Sequence, residues 1–230
     1  GEVVVARMRE EARALRAEAV PGDRLSWWAT GPDGEPVCCR VTRAADAPAL
    51  GSLRGEPRLR ALADLADAPL APRSGEGNGV TVIYKSPGIR DGLSDLPWHR
   101  DCGMGGHAVM CPVLIASVFL TPATPETGEL RFLPGSWRGT FGFHEATDAR
   151  APRGVAFRLG PGDVTVHYGD GMHAAPPPTR TDLPEYRISA TTGFARPDAR
   201  HHRGDGSYND VLHQRADGRI EHLTRVAGRS

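Results

Sequence analysis

Between residues 80 and 194 the chain alternates short runs rich in Val, Ile, Thr, Phe and Tyr with turns built on Gly, Pro and Asp. Runs of this kind occupy residues 80–85, 114–121, 129–133, 154–159, 163–168 and 186–194. Turn residues separate them at fairly regular spacing, which predicts an all-β sandwich or barrel. The 28 glycines and 20 prolines are spread along the chain rather than clustered, which suits many short strands and speaks against a helical bundle.

The flanks of this β-rich stretch read differently. Val4, Met8, Ala12, Leu15 and Ala19 recur every three or four residues among Arg and Glu, the pattern of an amphipathic helix that Pro21-Gly22 ends. Residues 25–30 and 36–42 flank Gly31-Pro32-Asp33-Gly34 and predict a β-hairpin. Leu59, Leu62 and Leu65 predict a second helix over residues 57–66. Residues 72–78 read as a loop. The polar tail holds one predicted short helix near residues 210–214. The expectation is one domain over residues 1–230, with a helical part carrying the hairpin (1–78), a β core (79–194) and a tail (195–230).

Composition removes several functions. Lys plus Arg and Asp plus Glu each number 28, so no basic excess exists to hold a nucleic-acid backbone. The longest apolar run, residues 113–120, is too short to span a bilayer. No basic-then-apolar leader opens the chain, so the expected compartment is the cytoplasm. Four cysteines, Cys38, Cys39, Cys102 and Cys111, include no CxxC pair, and buried free thiols are expected. Cys38 and Cys39 are adjacent and should face opposite sides of a strand.

Chemistry concentrates at Trp98-His99-Arg100-Asp101. In extended chain, His99 and Asp101 lie on one face and can aim an imidazole and a carboxylate at a common point. Two such ligands and a distant histidine make the facial triad of non-haem Fe(II) oxygenases, which leaves positions open for cosubstrate and dioxygen. His173 follows a strand and the turn Tyr168-Gly169-Asp170-Gly171-Met172, and a barrel can return it beside His99. His167, on the strand face with Thr165, competes for the same role, although a hydrogen-bonded or exposed histidine is the better reading of it. On the last run, Arg187, Ser189 and Thr191 share a face. That face suits a carboxylate, which Arg binds through paired charge-assisted hydrogen bonds and Ser can supplement. Structurally, Arg187 could instead pair with Glu185 or Asp182.

In chain order, Trp98-His99-Arg100-Asp101, residues 117–121, Gly128-Glu129-Leu130-Arg131-Phe132-Leu133-Pro134-Gly135-Ser136, Gly162-Asp163-Val164 leading to His173, and Arg187-Ile188-Ser189 resemble the phytanoyl-CoA dioxygenase family, which includes ectoine hydroxylase. The resemblance covers roughly residues 80–194 and implies a mainly β protein with N-terminal helices, a double-stranded β-helix of jelly-roll, cupin-like form. It implies Fe(II) on His99, Asp101 and His173, 2-oxoglutarate with its distal carboxylate on Arg187, and dioxygen as oxidant. By position, Lys85 and Ser117 resemble further cosubstrate contacts. Trp137 stands where many members have His, and Pro177-Pro178 where many have Pro-Asn. Related halogenases keep the position of Asp101 small, so Asp101 here implies hydroxylation rather than chlorination, with desaturation, epoxidation and ring formation open.

The implied activity is oxidation of a C–H bond of a small molecule, in bacterial secondary metabolism, without nucleic-acid or membrane partners. Two other readings remain at this point: a non-catalytic β-barrel that binds a small ligand, and a cupin-type metalloenzyme that does not use 2-oxoglutarate. Neither needs a carboxylate clamp beside the metal. The Gly-rich segment Cys102-Gly103-Met104-Gly105-Gly106-His107 reads as a loop next to the iron, Trp27 and Trp28 as core and rim, and His201 and His202 as part of the polar tail.

Overall fold

The computed structural model describes residues 1–66, 69–73, 79–89, 92–101, 113–136, 153–197 and 212–222. In chain order the elements are helix α1 (Glu2–Glu18), strands β1 (Ser26–Thr30) and β2 (Pro36–Val41), helices α2 (Pro48–Gly51) and α3 (Pro57–Ala63), then strands β3 (Ala71–Pro72), β4 (Val80–Tyr84), β5 (Leu96–His99), β6 (Val113–Phe119), β7 (Arg131–Phe132), β8 (Val155–Ala156), β9 (Val164–Tyr168), β10 (His173–Ala175), β11 (Ile188–Ala195), β12 (Leu212–Gln214) and β13 (Ile220–His222). Cys102, Cys111, Trp137, His201, His202 and the Gly-rich segment after Asp101 lie outside the described residues.

The larger sheet runs β1-β2-β4-β11-β6-β9, with β3 also paired to β11. The smaller runs β5-β10-β7-β8. Together they form the jelly roll of a double-stranded β-helix. Alternation along the strands divides the larger sheet into two faces. Val80, Val82, Tyr84, Leu114, Ala116, Val118, Ile188 and Ala190 share the outer face and form the principal core with residues of the N-terminal helices. The other face carries Lys85, Ser117, Thr165, His167, Arg187, Ser189 and Thr191, and it turns toward the smaller sheet. The polar set is thus the cleft wall, and the apolar set is its support.

Helix α1 covers the outer face. Met8 and Ala12 are its buried positions, as their spacing requires. Glu2 in its first turn and Arg16 in its last complement the helix dipole. Two contacts fix it from outside its own backbone. Tyr84 Oη donates to the Ala12 carbonyl at 2.6 Å, and the Glu11 carboxylate accepts from the N–H groups of Ala49 and Leu50 at 2.9 Å each. The turn into β1 is held by Asp23, which accepts from the backbone N–H of Leu25 and Ser26 and from the Ser26 hydroxyl.

Within the β1–β2 hairpin, Cys38 packs in the outer core while Cys39 faces inward against Leu93, Leu96 and Ala175. Both thiols are free, and burial pushes them up to about 11 and about 12. They are inert filling, as expected of the pair. Trp28 is buried in the core, and Trp27 lies under the Arg40 guanidinium at 4.2 Å.

The tail corrects one expectation. Leu212–Gln214 is a strand, not part of a short helix, and it pairs antiparallel with β13. The turn between them carries Asp217-Gly218, with Gly218 at φ 81°, a conformation that glycine adopts freely.

Candidate functional site

Register brings together the residues expected to hold metal. β10 pairs with β5 so that His173 lies directly opposite His99. Directly opposed side chains on one sheet face touch, and the two imidazoles sit 4.1 Å apart between centroids. Asp101 follows β5 by two residues and falls at the same end. Its Oδ1 is 3.6 Å from His99 Nε2, and its Oδ2 is 3.6 Å from His173 Nε2. One donor atom from each of the three residues lies within 4.8 Å of the others, close enough to share one ion.

The tautomers suit that purpose. His99 Nδ1 is 2.9 Å from the Pro97 carbonyl, and His173 Nδ1 is 3.1 Å from the Gly171 carbonyl. A carbonyl only accepts, so each ring donates from Nδ1 and keeps Nε2 bare for a metal. Burial first, then the charge of His99, pushes His173 well below the usual histidine value. Burial alone would raise the Asp101 carboxyl. Electrostatic attraction to the neighbouring His173 ring, then the hydrogen bond from His167, outweigh it and hold the group well below the usual carboxylate range. Neutral imidazole and ionised carboxylate are the forms that bind metal.

The residue between the ligands has a separate task. Arg100 is buried, donating from Nε to the Asp170 carbonyl at 2.8 Å and from Nη2 to the Ser136 carbonyl at 2.6 Å. Ser136 Oγ in turn accepts from the Met172 N–H at 2.8 Å, and the Leu133 N–H donates to the Met172 carbonyl. The segment Leu133-Pro134-Gly135-Ser136 is therefore a brace for the turn that delivers His173.

The carboxylates that a surface role for Arg187 would need pair with other residues. Glu185 pairs with Arg13 and Asp182 with Arg180, both at the surface. Arg187 is buried, with Nη1 donating to the Glu129 carbonyl at 3.0 Å. Its Nε is buried and has no hydrogen-bond partner among the described residues. Burial draws the guanidinium down to about 10, a cost that an anionic ligand would offset. An orphaned fork of this kind fits a carboxylate such as the distal end of 2-oxoglutarate.

The remaining expected residues are placed as follows. Lys85 is buried beside Arg187, and its Nζ donates to the carbonyls of Ser94 (2.6 Å), Ala175 (2.5 Å) and Pro176 (3.1 Å). It ties the larger sheet to the strand that carries His173. Ser189 is buried on the same wall. Ser117 pairs in register with both Thr191 and Thr165, and its Oγ is 3.1 Å from Thr191 Oγ1. The Thr165 hydroxyl is buried without a partner among the described residues.

His167 is not exposed. Its Nε2 is 3.1 Å from Asp101 Oδ2, and its ring centroid lies 4.4 Å from that of His173. Of the two histidines considered for third ligand, His173 lies in the donor cluster with His99 and Asp101, and His167 stands behind the carboxylate. Its shared strand face with Thr165 was visible in the sequence. Its approach to Asp101 was not, because that depends on the pairing of β9 with β6, where His167 opposes Ile115.

A double-stranded β-helix with a histidine–aspartate–histidine triad and a buried arginine in its cleft defines the class of iron- and 2-oxoglutarate-dependent oxygenases. More particularly, the chain belongs to the phytanoyl-CoA dioxygenase family, whose model it matches over residues 2–182. The match extends through the N-terminal helices and stops short of Arg187.

Solved structures agree. EvdMO1 is 25% identical with a TM-score of 0.62, over 84% of this chain and 44% of that one, so this chain spans less than half the length of that relative. SnoN, an alpha ketoglutarate dependent epimerase from nogalamycin biosynthesis, is 25% identical with a TM-score of 0.59, over 84% of this chain and 73% of its own. EvdO2 from Micromonospora carbonacea var. aurantiaca, complexed with 2-oxoglutarate, is 26% identical with a TM-score of 0.58, over 89% and 86%. No curated protein matches the chain. Among the described residues, no helix is long and apolar enough to cross a membrane.

Proposed function

We propose that this protein is a dioxygenase that oxidises a C–H bond of a small molecule in bacterial secondary metabolism, with hydroxylation as its outcome. His99, Asp101 and His173 hold Fe(II), and Arg187 grips the distal carboxylate of 2-oxoglutarate. When bound, the metal and cosubstrate supply the oxidising chemistry, converting 2-oxoglutarate and dioxygen to succinate and carbon dioxide as substrate is oxidised. The observation that carries this reading is the buried Arg187 Nε left without a partner among the described residues, on the wall that faces the triad. A binding barrel or a cupin enzyme indifferent to 2-oxoglutarate has no use for it.

The chain's own residues orient and exclude water. Ser189 adds a hydroxyl beside the guanidinium, and Lys85, engaged with its three carbonyls, holds the strand that carries His173 against the same end of the cleft. Ser117, with Thr191 and Thr165, supplies a row of hydroxyls between that end and the metal. Residues 1–230 act as one oxygenase domain in this reading.

The test is succinate release from 2-oxoglutarate with added Fe(II), run with candidate small molecules. Labelled dioxygen then separates outcomes: a hydroxylase retains one labelled oxygen in its product, and an epimerase, the activity named for SnoN, retains none. Absence of Fe(II)-dependent succinate with every candidate, and no 2-oxoglutarate binding, would remove the proposal.

A further inference from the structure

Three histidines meet at the metal centre, and the triad uses only two. His167 belongs to β9 on the larger sheet, whereas all three ligands belong to the smaller sheet or the turn that follows β5. Its side chain is 9% exposed, its Nε2 is 3.1 Å from Asp101 Oδ2, and its ring also lies against Phe132 at 5.4 Å between centroids.

The hydrogen positions follow from the partners. A carboxylate oxygen accepts, so the short contact puts the proton on His167 Nε2. Nδ1 is then a bare acceptor, and the structure agrees: that atom is buried and has no hydrogen-bond partner among the described residues. This is the opposite tautomer from His99 and His173, which both donate from Nδ1 and leave Nε2 bare. With its proton between itself and the carboxylate, Nε2 of His167 is not a metal ligand.

We propose that His167 is a positioning residue which donates Nε2–H to Asp101 Oδ2 and so commits the carboxylate to the metal through Oδ1 alone. The inference rests on the triad assigned above. A carboxylate free to bind through both oxygens would occupy a coordination position that this class of site needs open. Hydrogen bonds from outside the ligand set commonly decide such orientation, and their loss typically lowers metal affinity about 10–100-fold.

Cobalt(II) binding to the full chain, without cosubstrate, reads this directly. His167→Phe keeps a ring of similar shape and removes the donor, and His167→Asn leaves a donor too short to reach. Both are expected to bind Co(II) about 10–100-fold more weakly than wild type. His167→Gln carries a donor at nearly the same reach and should recover most of the loss. Wild-type affinity in folded His167→Phe or His167→Asn overturns the proposal, and so does a His167→Gln variant that recovers none of the loss. His173→Ala separates this from failure of the triad: if that variant still binds Co(II) as wild type does, the metal assignment itself falls.

Discussion

Two side chains carry most of the chemistry assigned to this cleft, and each can be tested alone. Arg187 is a buried cation whose Nε has no hydrogen-bond partner among the described residues. Removing one member of a buried charged pair costs about 3–5 kcal/mol, which corresponds to roughly two to four decades in affinity. Arg187→Ala should therefore weaken 2-oxoglutarate binding by that factor while metal affinity stays near wild type. Calorimetric titration of each ligand in turn checks the separation, and an unchanged 2-oxoglutarate affinity would move the clamp to Lys85. Asp101 makes a different prediction. As a ligand, its replacement by Ala should abolish both metal binding and succinate formation. As a mere cap on the turn after β5, the same change would cost about 0.5–2 kcal/mol of stability and leave turnover in place. Iron content and succinate yield of the folded variant decide between them. Chloride is not expected to yield a halogenated product even in Asp101→Ala, because it would also need a hydrogen-bonded pocket and a placed substrate.

At the scale of elements, the turn that joins α1 to β1 rests on one carboxylate. Burial acts to raise the Asp23 pKa, but the Ser26 hydroxyl and the N–H groups of Leu25, Ser26 and Val20 outweigh it and leave the pKa below the usual value. A folded-state pKa below the unfolded one contributes stability above pH ~3.9 that is lost as pH falls through the folded value. Asp23→Asn should therefore be less stable than wild type by about 1–2 kcal/mol near neutral pH. The gap should shrink below about pH 4, and thermal unfolding across that range measures it. A gap that did not change with pH would assign the loss to packing instead. The hairpin that follows was legible in the sequence because its signals are local. So were α1 and the pairing of His99 with Asp101, a property of two residues on one strand. The strands β7 and β8 were expected to be longer than the two paired residues each retains, because apolar runs do not show where a ladder ends. The tail strand β12 was misread as helix although Asp217-Gly218 beside it is a hairpin signal. That His167 would be hydrogen-bonded was expected, but not that Asp101 is its partner. Its partner lies on the other sheet, and no local pattern reports a pairing made by two long-range registers.

Across the whole molecule, the three proposed metal ligands sit on the smaller sheet and its following turn, while Arg187 sits on the larger one. Metal therefore closes one sheet on itself, and a dicarboxylate that reaches from metal to Arg187 links the two sheets. Among the described residues Lys85 already makes such a link, through its bonds to Ser94, Ala175 and Pro176. The consequence is a thermal signature with two separable parts. A ligand that binds only the folded state at 100 times its dissociation constant stabilises by about 2.7 kcal/mol. For a chain of this size each kcal/mol raises Tm by about 2–4 °C. Ni(II), which does not turn the enzyme over, should raise Tm by roughly 5–11 °C at that saturation, and 2-oxoglutarate added to the metal-loaded protein should raise it again by a similar amount. A chelator should reverse both steps, since the second depends on the first. In Arg187→Ala the metal step should survive and the second step should shrink at the same 2-oxoglutarate concentration. In Asp101→Ala neither should occur. A 2-oxoglutarate step of full size without metal, or one that Arg187→Ala leaves intact, would mean that the cosubstrate does not bridge the sheets as the cleft requires.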